Sequence, residues 1–330
     1  MHNFTWRDGE RLVRFAAGAA AEAPRLVAAA GLDGYVLLTT SRLRPAAGAL
    51  AEQADLVLEV PPGRVDEIAG GLLEPAEGRP LVAFGGGRVV DVAKALAGAG
   101  DGRCAAVPTT LSGAEMTPFH RLPAGIAHAR LVRPVLVVAD PELMTGQEAP
   151  ARAASAMNAM AHALEALYTP LANPVCDAAA LEATRRLSGD LEAREDLALG
   201  ALLAGYASGG AGFAVHHALC QTIVRTAGSP HAQTNAVMLP HTVAFAADRA
   251  PEAVGRFAAA LGDPGGDARA AVALVEPLSA RCGRTRLSGL GVDEGHVPSV
   301  ARAAVSHPAV HNTPDPPDEA QIAALVRGAL

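Results

Sequence analysis

Through its first half the chain alternates short apolar runs with segments of helical period. Arg11–Phe15, after a turn at Asp8-Gly9, predicts an edge strand. Residues 35–39, 54–60, 81–84, 103–107 and 135–139 predict further strands, each a compact run rich in Val, Leu and Ala. Between them, 18–30, 43–53, 65–73 and 89–99 carry helical spacing. Unbroken apolar strands separated by helices predict a parallel sheet buried on both faces, because each crossover helix covers one face. Near Pro150 the pattern changes, and from there to Leu330 only helical periods remain, with long stretches at 151–167 and 197–226. Asn173-Pro174 is a helix start: Asn caps, Pro fills the first helical position, and Asp177 falls in the first turn. Residues 262–266 and 307–317 read as surface loops. The expected class is α/β, with a Rossmann-like parallel-sheet domain over residues 1–149 and an all-α domain over residues 150–330.

Composition narrows the function. At 330 residues the chain is long enough for two cores. Half of it is hydrophobic but only 3% aromatic, so the core is built from small side chains that suit closely packed helices. A net charge of -7, with no basic block interleaved with aromatics, argues against a nucleic-acid partner. No apolar stretch has the length of a membrane span, and the opening residues are not those of a secretory signal. Cys104, Cys176, Cys220 and Cys282 stand singly, which fits reduced thiols in the cytoplasm.

Three clusters carry candidate chemistry. Gly85, Gly86 and Gly87 join a predicted strand to a predicted helix, which presents bare backbone N–H groups and a helix N-terminus to a phosphate. Asp91 and Lys94 follow on one helical face, and Lys94 is the only lysine in a chain whose other basic residues are all arginine. A lone lysine beside a glycine turn suggests a need for a compact ammonium, here expected to face a dinucleotide. Thr109, Thr110 and Ser112 follow the strand ending at Val107, at the sheet edge where open α/β sheets take ligands; their hydroxyls serve either a cofactor or their own loop. The third cluster is the helix 151–167, with Asn158 and His162 four residues apart and Glu165 three further on, followed by His216, His217, His231 and His241.

GGGRVVDVAKA, PTTLSGAEMTP, MNAMAHALEALY, HHALCQTI and SPHAQTNAVMLPH occur in the order found in the iron-containing (group III) alcohol dehydrogenase superfamily, and the chain resembles its maleylacetate reductases most. The resemblance implies a dehydroquinate synthase-like fold: a dinucleotide-binding α/β domain and a helical catalytic domain, with the site in the cleft between them. It also implies hydride transfer from NADH or NADPH to a small oxo-acid or ketone, and a homodimer pairing through its N-terminal strand. Metal-dependent members hold their ion with one carboxylate and three histidines, and the matching positions here are Asn158, His162, His217 and His231. An amide supplies only a neutral carbonyl oxygen. The Asn form resembles the maleylacetate reductases, which work without metal, so the four side chains are expected to act as acid and hydrogen-bond groups on maleylacetate, giving 3-oxoadipate. Were a metal retained, the same four would hold it, as in an alcohol dehydrogenase; loss of catalysis altogether would leave a dinucleotide-binding homologue. Gln221 replaces a family histidine four residues after His217, and Asp91 resembles the alcohol dehydrogenases. Arg88, His120, Arg121 and Arg225 are candidate partners for a dicarboxylate. Near the second strand, Thr39 and Ser41 are expected beside the ribose, with no acid to repel a 2′-phosphate and with Arg42 and Arg44 able to pair with it.

Overall fold

The computed structural model describes residues 2–100 and 102–330. They form strands β1 (Phe4–Asp8), β2 (Arg11–Phe15), β3 (Val36–Thr39), β4 (Leu56–Glu59), β5 (Leu81–Gly85), β6 (Cys104–Pro108) and β7 (Leu136–Ala139). The helices of the first part are α1 (Ala23–Ala29), α2 (Ala49–Glu52), α3 (Val65–Ala76), α4 (Gly87–Ala99) and α5 (Pro141–Met144). Those of the second part are α6 (Ala149–Ala166), α7 (Pro174–Leu187), α8 (Arg194–Ala211), α9 (Val215–Ala227), α10 (His231–Arg249), α11 (Pro251–Leu261), α12 (Ala270–Ala280), α13 (Val297–Val305) and α14 (Glu319–Gly328). The chain divides into two compact units between Gly146 and Gln147.

The first unit is a seven-stranded sheet in the order β1-β2-β7-β6-β5-β3-β4. All neighbours pair in parallel except β1, which returns antiparallel along β2. The sheet is buried on both faces: α3 and α4 cover one, packing Ala69, Val89, Val92 and Leu96 against Val36, Leu38 and Ala83. Leu26, Val27, Tyr35 and Leu50 cover the other, against Leu37, Val82 and Val107. Expectation and structure differ at the margin. Arg11–Phe15 is an interior strand, and the edge belongs to β1, whose alternation of half-buried and exposed residues gives little apolar signal.

The second unit is helical throughout its described residues. Asn173 caps α7 as its sequence predicts, its side-chain oxygen accepting from the Val175 and Cys176 amides at 3.1 Å. The stretch expected to run unbroken over 197–226 is instead two helices, α8 and α9, turned by 101°. Gly212 makes the break at φ +87°, a conformation that only glycine adopts without strain. Residues expected as a surface loop fasten that break. Asn312 donates to the Phe213 carbonyl at 2.8 Å, and the buried Thr313 hydroxyl accepts from the Val215 amide at 3.0 Å. The break thereby turns Phe213, His216 and His217 onto α6. No single helix among the described residues is long and apolar enough to cross a membrane.

Candidate active site

In the first unit the glycine turn and the Thr109–Ser112 segment meet. Gly86 caps α4, and no side chain occupies that cap. A Cβ on Gly86 would stand 2.8 Å from Thr110 Cγ2, and one on Gly87 3.0 Å from Ser112, so only glycine lets this turn close on the segment after β6. The Thr109 amide bonds the Gly85 carbonyl at 3.0 Å, and Thr110 Oγ1 is buried there with no hydrogen-bond partner. Backbone N–H groups at the start of a 13-residue helix, beside a bare hydroxyl, suit a phosphate.

Three residues expected at a dinucleotide are otherwise engaged. Lys94 is fully buried, and its ammonium is ringed by Asp91 Oδ1 at 2.8 Å, the Ala114 carbonyl at 2.8 Å, the Phe119 carbonyl at 2.6 Å and Thr117 Oγ1 at 3.2 Å. A point-like ammonium meets acceptors spread around it where a planar fork cannot, which explains the one lysine of the chain. Its three N–H groups are all taken, so Lys94 ties residues 114–119 to α4 and does not reach a phosphate. Thr39, also buried, donates its hydroxyl to the Phe84 carbonyl at 2.8 Å and joins β3 to β5. Asp91 is Lys94's ion-pair partner, whereas Ser41, Arg42 and Arg44 lie exposed after β3. Among the candidate dicarboxylate partners, Arg88, Arg121 and Arg225 are exposed. His120 has both ring nitrogens 3.0 Å from the carbonyls of Arg121 and Arg130.

Beside Lys94 lies Glu115, fully buried, with neither carboxyl oxygen hydrogen-bonded. Burial pushes it up from 4.5 to about 7, although Lys94 and Arg11 pull the other way. The folded carboxyl therefore holds its proton more tightly than the unfolded one. Its contribution to stability is full below pH 4.5 and is lost as pH rises from there through about 7. Glu115→Gln is expected to remove that loss, making the variant more stable than the parent by up to about 3 kcal/mol at pH 8 and indistinguishable from it at pH 4. Urea unfolding at the two pH values measures the difference.

The second unit gathers the imidazoles. Helix α6 is buried over nearly its whole length, and its run of alanines lets neighbouring helices approach closely. From it project Asn158, His162 and Glu165. The Asn158 amide lies 3.3 Å from His162 Nε2, placed to donate to it. The His162 ring stacks on the His217 ring at 4.1 Å between centroids, 15° from parallel, and Phe213 packs against both. Glu165 is fully buried: Oε2 lies 2.6 Å from His217 Nδ1, while Oε1 accepts from the His216 amide at 2.6 Å and the His217 amide at 3.4 Å. His217 Nε2 is buried with no hydrogen-bond partner. Burial raises Glu165 and lowers His217, so the pair resists separating charge and holds its protons as a unit.

His231 is exposed on the first turn of α10, with its Nε2 3.4 Å from the Asn235 amide nitrogen, and its charge acts on His216 and His217, disfavouring their protonation. Asn235 is oriented without ambiguity, because its Nδ2 donates to the His231 carbonyl at 2.8 Å. Its oxygen must then accept from His216 Nε2 at 3.0 Å, leaving His216 Nδ1 to accept from Thr242 at 2.7 Å. Burial lowers His216 to about 3, consistent with this neutral form. His216 is thus a structural ring between α9 and α10. Gln221, one turn beyond His217, is partly buried.

The donor set can be tested against a divalent cation. An imidazole ligates in its own ring plane, and two rings stacked nearly parallel direct their nitrogens side by side rather than at a common point. Among the described residues no three His, Cys, Asp or Glu side chains are grouped as an ion requires. Asn158, in the carboxylate's place, is hydrogen-bonded to His162, and the stacked His162 and His217 rings do not present their nitrogens to one common point.

Glu165 is the functional group that sequence reasoning left without a role. Its spacing from His162 was visible, but the break at Gly212 that brings His217 to it was not.

Comparisons with known proteins bear on the whole chain. Residues 152–330 match the model of the Fe-containing alcohol dehydrogenase family, C-terminal. The maleylacetate reductase of Sphingobium indicum is 36% identical over 288 residues, 83% of this chain and 80% of that protein. Maleylacetate reductase 1 of Rhodococcus opacus is 39% identical over 214 residues, 61% of this chain and 60% of that protein. The crystal structure of maleylacetate reductase from Agrobacterium tumefaciens superposes with a TM-score of 0.84 at 30% identity, covering 100% of this chain and 99% of the other. Likeness of this extent, in sequence and in fold together, makes the chain an oxidoreductase that belongs to the Fe-containing alcohol dehydrogenase family.

Proposed function

We propose that the protein reduces the carbon–carbon double bond of maleylacetate with NADPH or NADH, giving 3-oxoadipate, and does so without a metal ion. The observation that carries this reading is the buried Glu165–His217 pair, with His217 Nε2 left unpartnered. Relatives of that name support the substrate. The glycine turn of the first unit holds the dinucleotide pyrophosphate, and Arg42 or Arg44 meets a 2′-phosphate. Bound nicotinamide supplies the hydride.

Hydride addition to the alkene carbon beyond the ketone moves a pair of electrons onto the ketone oxygen, and the resulting enolate needs a proton. Both members of the pair favour their neutral forms, with the Glu165 carboxyl O–H donating a hydrogen bond to Nδ1 of His217 and the one His217 proton on Nε2. His217 gives the Nε2 proton to the enolate. The Glu165 proton moves to Nδ1, and the negative charge comes to rest on a carboxylate already facing the amides of His216 and His217. No charged imidazole is required at any point. His162, its Nε2 receiving the Asn158 amide, keeps its own proton on Nδ1 and polarises the substrate as a neutral donor.

β1 at the sheet edge supports a homodimer, since its outer backbone groups lack strand partners within the sheet. The cysteines are all free and buried, which supports a cytoplasmic location. The deciding assay follows NADPH and NADH oxidation with maleylacetate before and after exhaustive chelation. Full activity in the chelated protein is expected. No turnover of maleylacetate would sink the substrate, and activity restored only by Fe²⁺ or Zn²⁺ would return the protein to the metal-dependent dehydrogenases.

A further inference from the structure

Away from the imidazole cluster, α10, α12 and the turn after α12 line a half-open cavity of about 490 Å³, a volume within the range of small-ligand sites. Both walls carry a proline inside a helix, Pro240 in α10 and Pro277 in α12. Each removes the amide that would bond the carbonyl four residues earlier, so the Ala236 carbonyl loses its helical donor. Around the same space stand His241, Glu276, Ser279, Arg284 and Thr285. Among the described residues none of these five side chains makes a hydrogen bond or ion pair. Ser279 is the telling one: it is only 5% exposed, and its hydroxyl is buried with no partner. A buried hydroxyl left unmet is costly, and polar side chains of one cavity ordinarily engage one another. Here a carboxylate and a guanidinium share the cavity without pairing.

We propose that this cavity is a binding site for a small zwitterion of the amino-acid class. Its ammonium group meets Glu276, and its carboxylate meets Arg284 and the Ser279 hydroxyl. The lining charges cancel, one of each sign, and burial lowers His241, which keeps its ring neutral. An oxo-dicarboxylate would face Glu276 with a second negative charge, so the cavity is not a second place for the substrate. Ala236 and Val237 directly follow Asn235, so an occupant braces the first turns of the helix that carries His231.

The test uses the full-length protein and four probes: L-serine and L-glutamine as zwitterions, succinate and putrescine as ions of a single sign. Calorimetric titration and thermal unfolding are run with each. At least one zwitterion is expected to bind, and to raise Tm by about 5 °C at a hundredfold excess over Kd. Arg284→Glu and Glu276→Gln, both at exposed positions, are each expected to weaken it tenfold or more while leaving maleylacetate turnover without the zwitterion unchanged. Silence from both zwitterions, tighter binding of succinate or putrescine, or undiminished binding to either variant would each overturn the proposal.

Discussion

Glu165→Gln lowers kcat for maleylacetate by a factor of about 10²–10⁴, with KM for NADPH unchanged. The glutamine keeps the volume of the glutamate and offers one oxygen to the backbone amides of His216 and His217. It cannot also serve Nδ1 as an acid. Once His217 has given up its Nε2 proton, the parent refills Nδ1 from Glu165; the variant would have to leave an imidazolate, which is out of reach near neutral pH. Hydrogen bonding to the enolate survives and proton transfer does not. The pH profile separates this from a merely structural defect. In the parent, kcat falls as pH rises and the pair loses its first proton, because the doubly protonated form is the active one. In the variant that limb disappears and a low, flat rate remains. A variant with the parent's profile at a lower plateau would mean that Glu165 only holds α9 in place, and the proton would then have to come from His162 or His231.

How far such a site is legible in sequence depends on whether its parts are local. The parallel sheet and its helices follow from apolar runs of strand length separated by helical spacing, because burial on both faces leaves an unmistakable pattern. The cap at Asn173 and the glycine turn at Gly85–Gly87 are local too, and both stand where expected. What failed was long-range. Gly209, Gly210 and Gly212 mark a weak point in the helical period, but the 101° turn between α8 and α9 is fixed by Asn312 and Thr313, about a hundred residues later. The Glu165–His217 contact depends on that turn. Lys94 was singled out for the right reason, a need for a compact ammonium, and given the wrong partner. Besides Asp91, one helical turn before it, its acceptors lie 20 to 25 residues away and include two backbone carbonyls, which carry no sequence signal. β1 is only five residues long, so its alternation of Phe4 and Trp6 with Thr5 and Arg7 is brief, and its place at the edge is set by pairing with β2.

The second large effect is expected from that lysine. Lys94→Met preserves the alkyl stem and the volume but removes the ammonium, leaving Asp91 without its cation and the carbonyls of Ala114 and Phe119 without a donor. Buried acceptors deprived of a charged donor cost about 3–5 kcal/mol, a large share of the stability of a domain. Lys94→Arg is not a rescue: the planar guanidinium is too large for a site with no exposure, and its in-plane fork cannot meet acceptors arranged around a point. Both variants should lower the urea midpoint of the first unit, with loss of NADPH affinity at denaturant concentrations where the parent still binds. The link to the dinucleotide is mechanical. Residues 114–119 follow directly on Ser112, which stands against Gly87 at the start of α4, so loosening them opens the turn that the glycines close. If Lys94→Arg unfolds within about 1 kcal/mol of the parent, the ammonium is an ordinary surface-type charge and the explanation for the chain's one lysine fails.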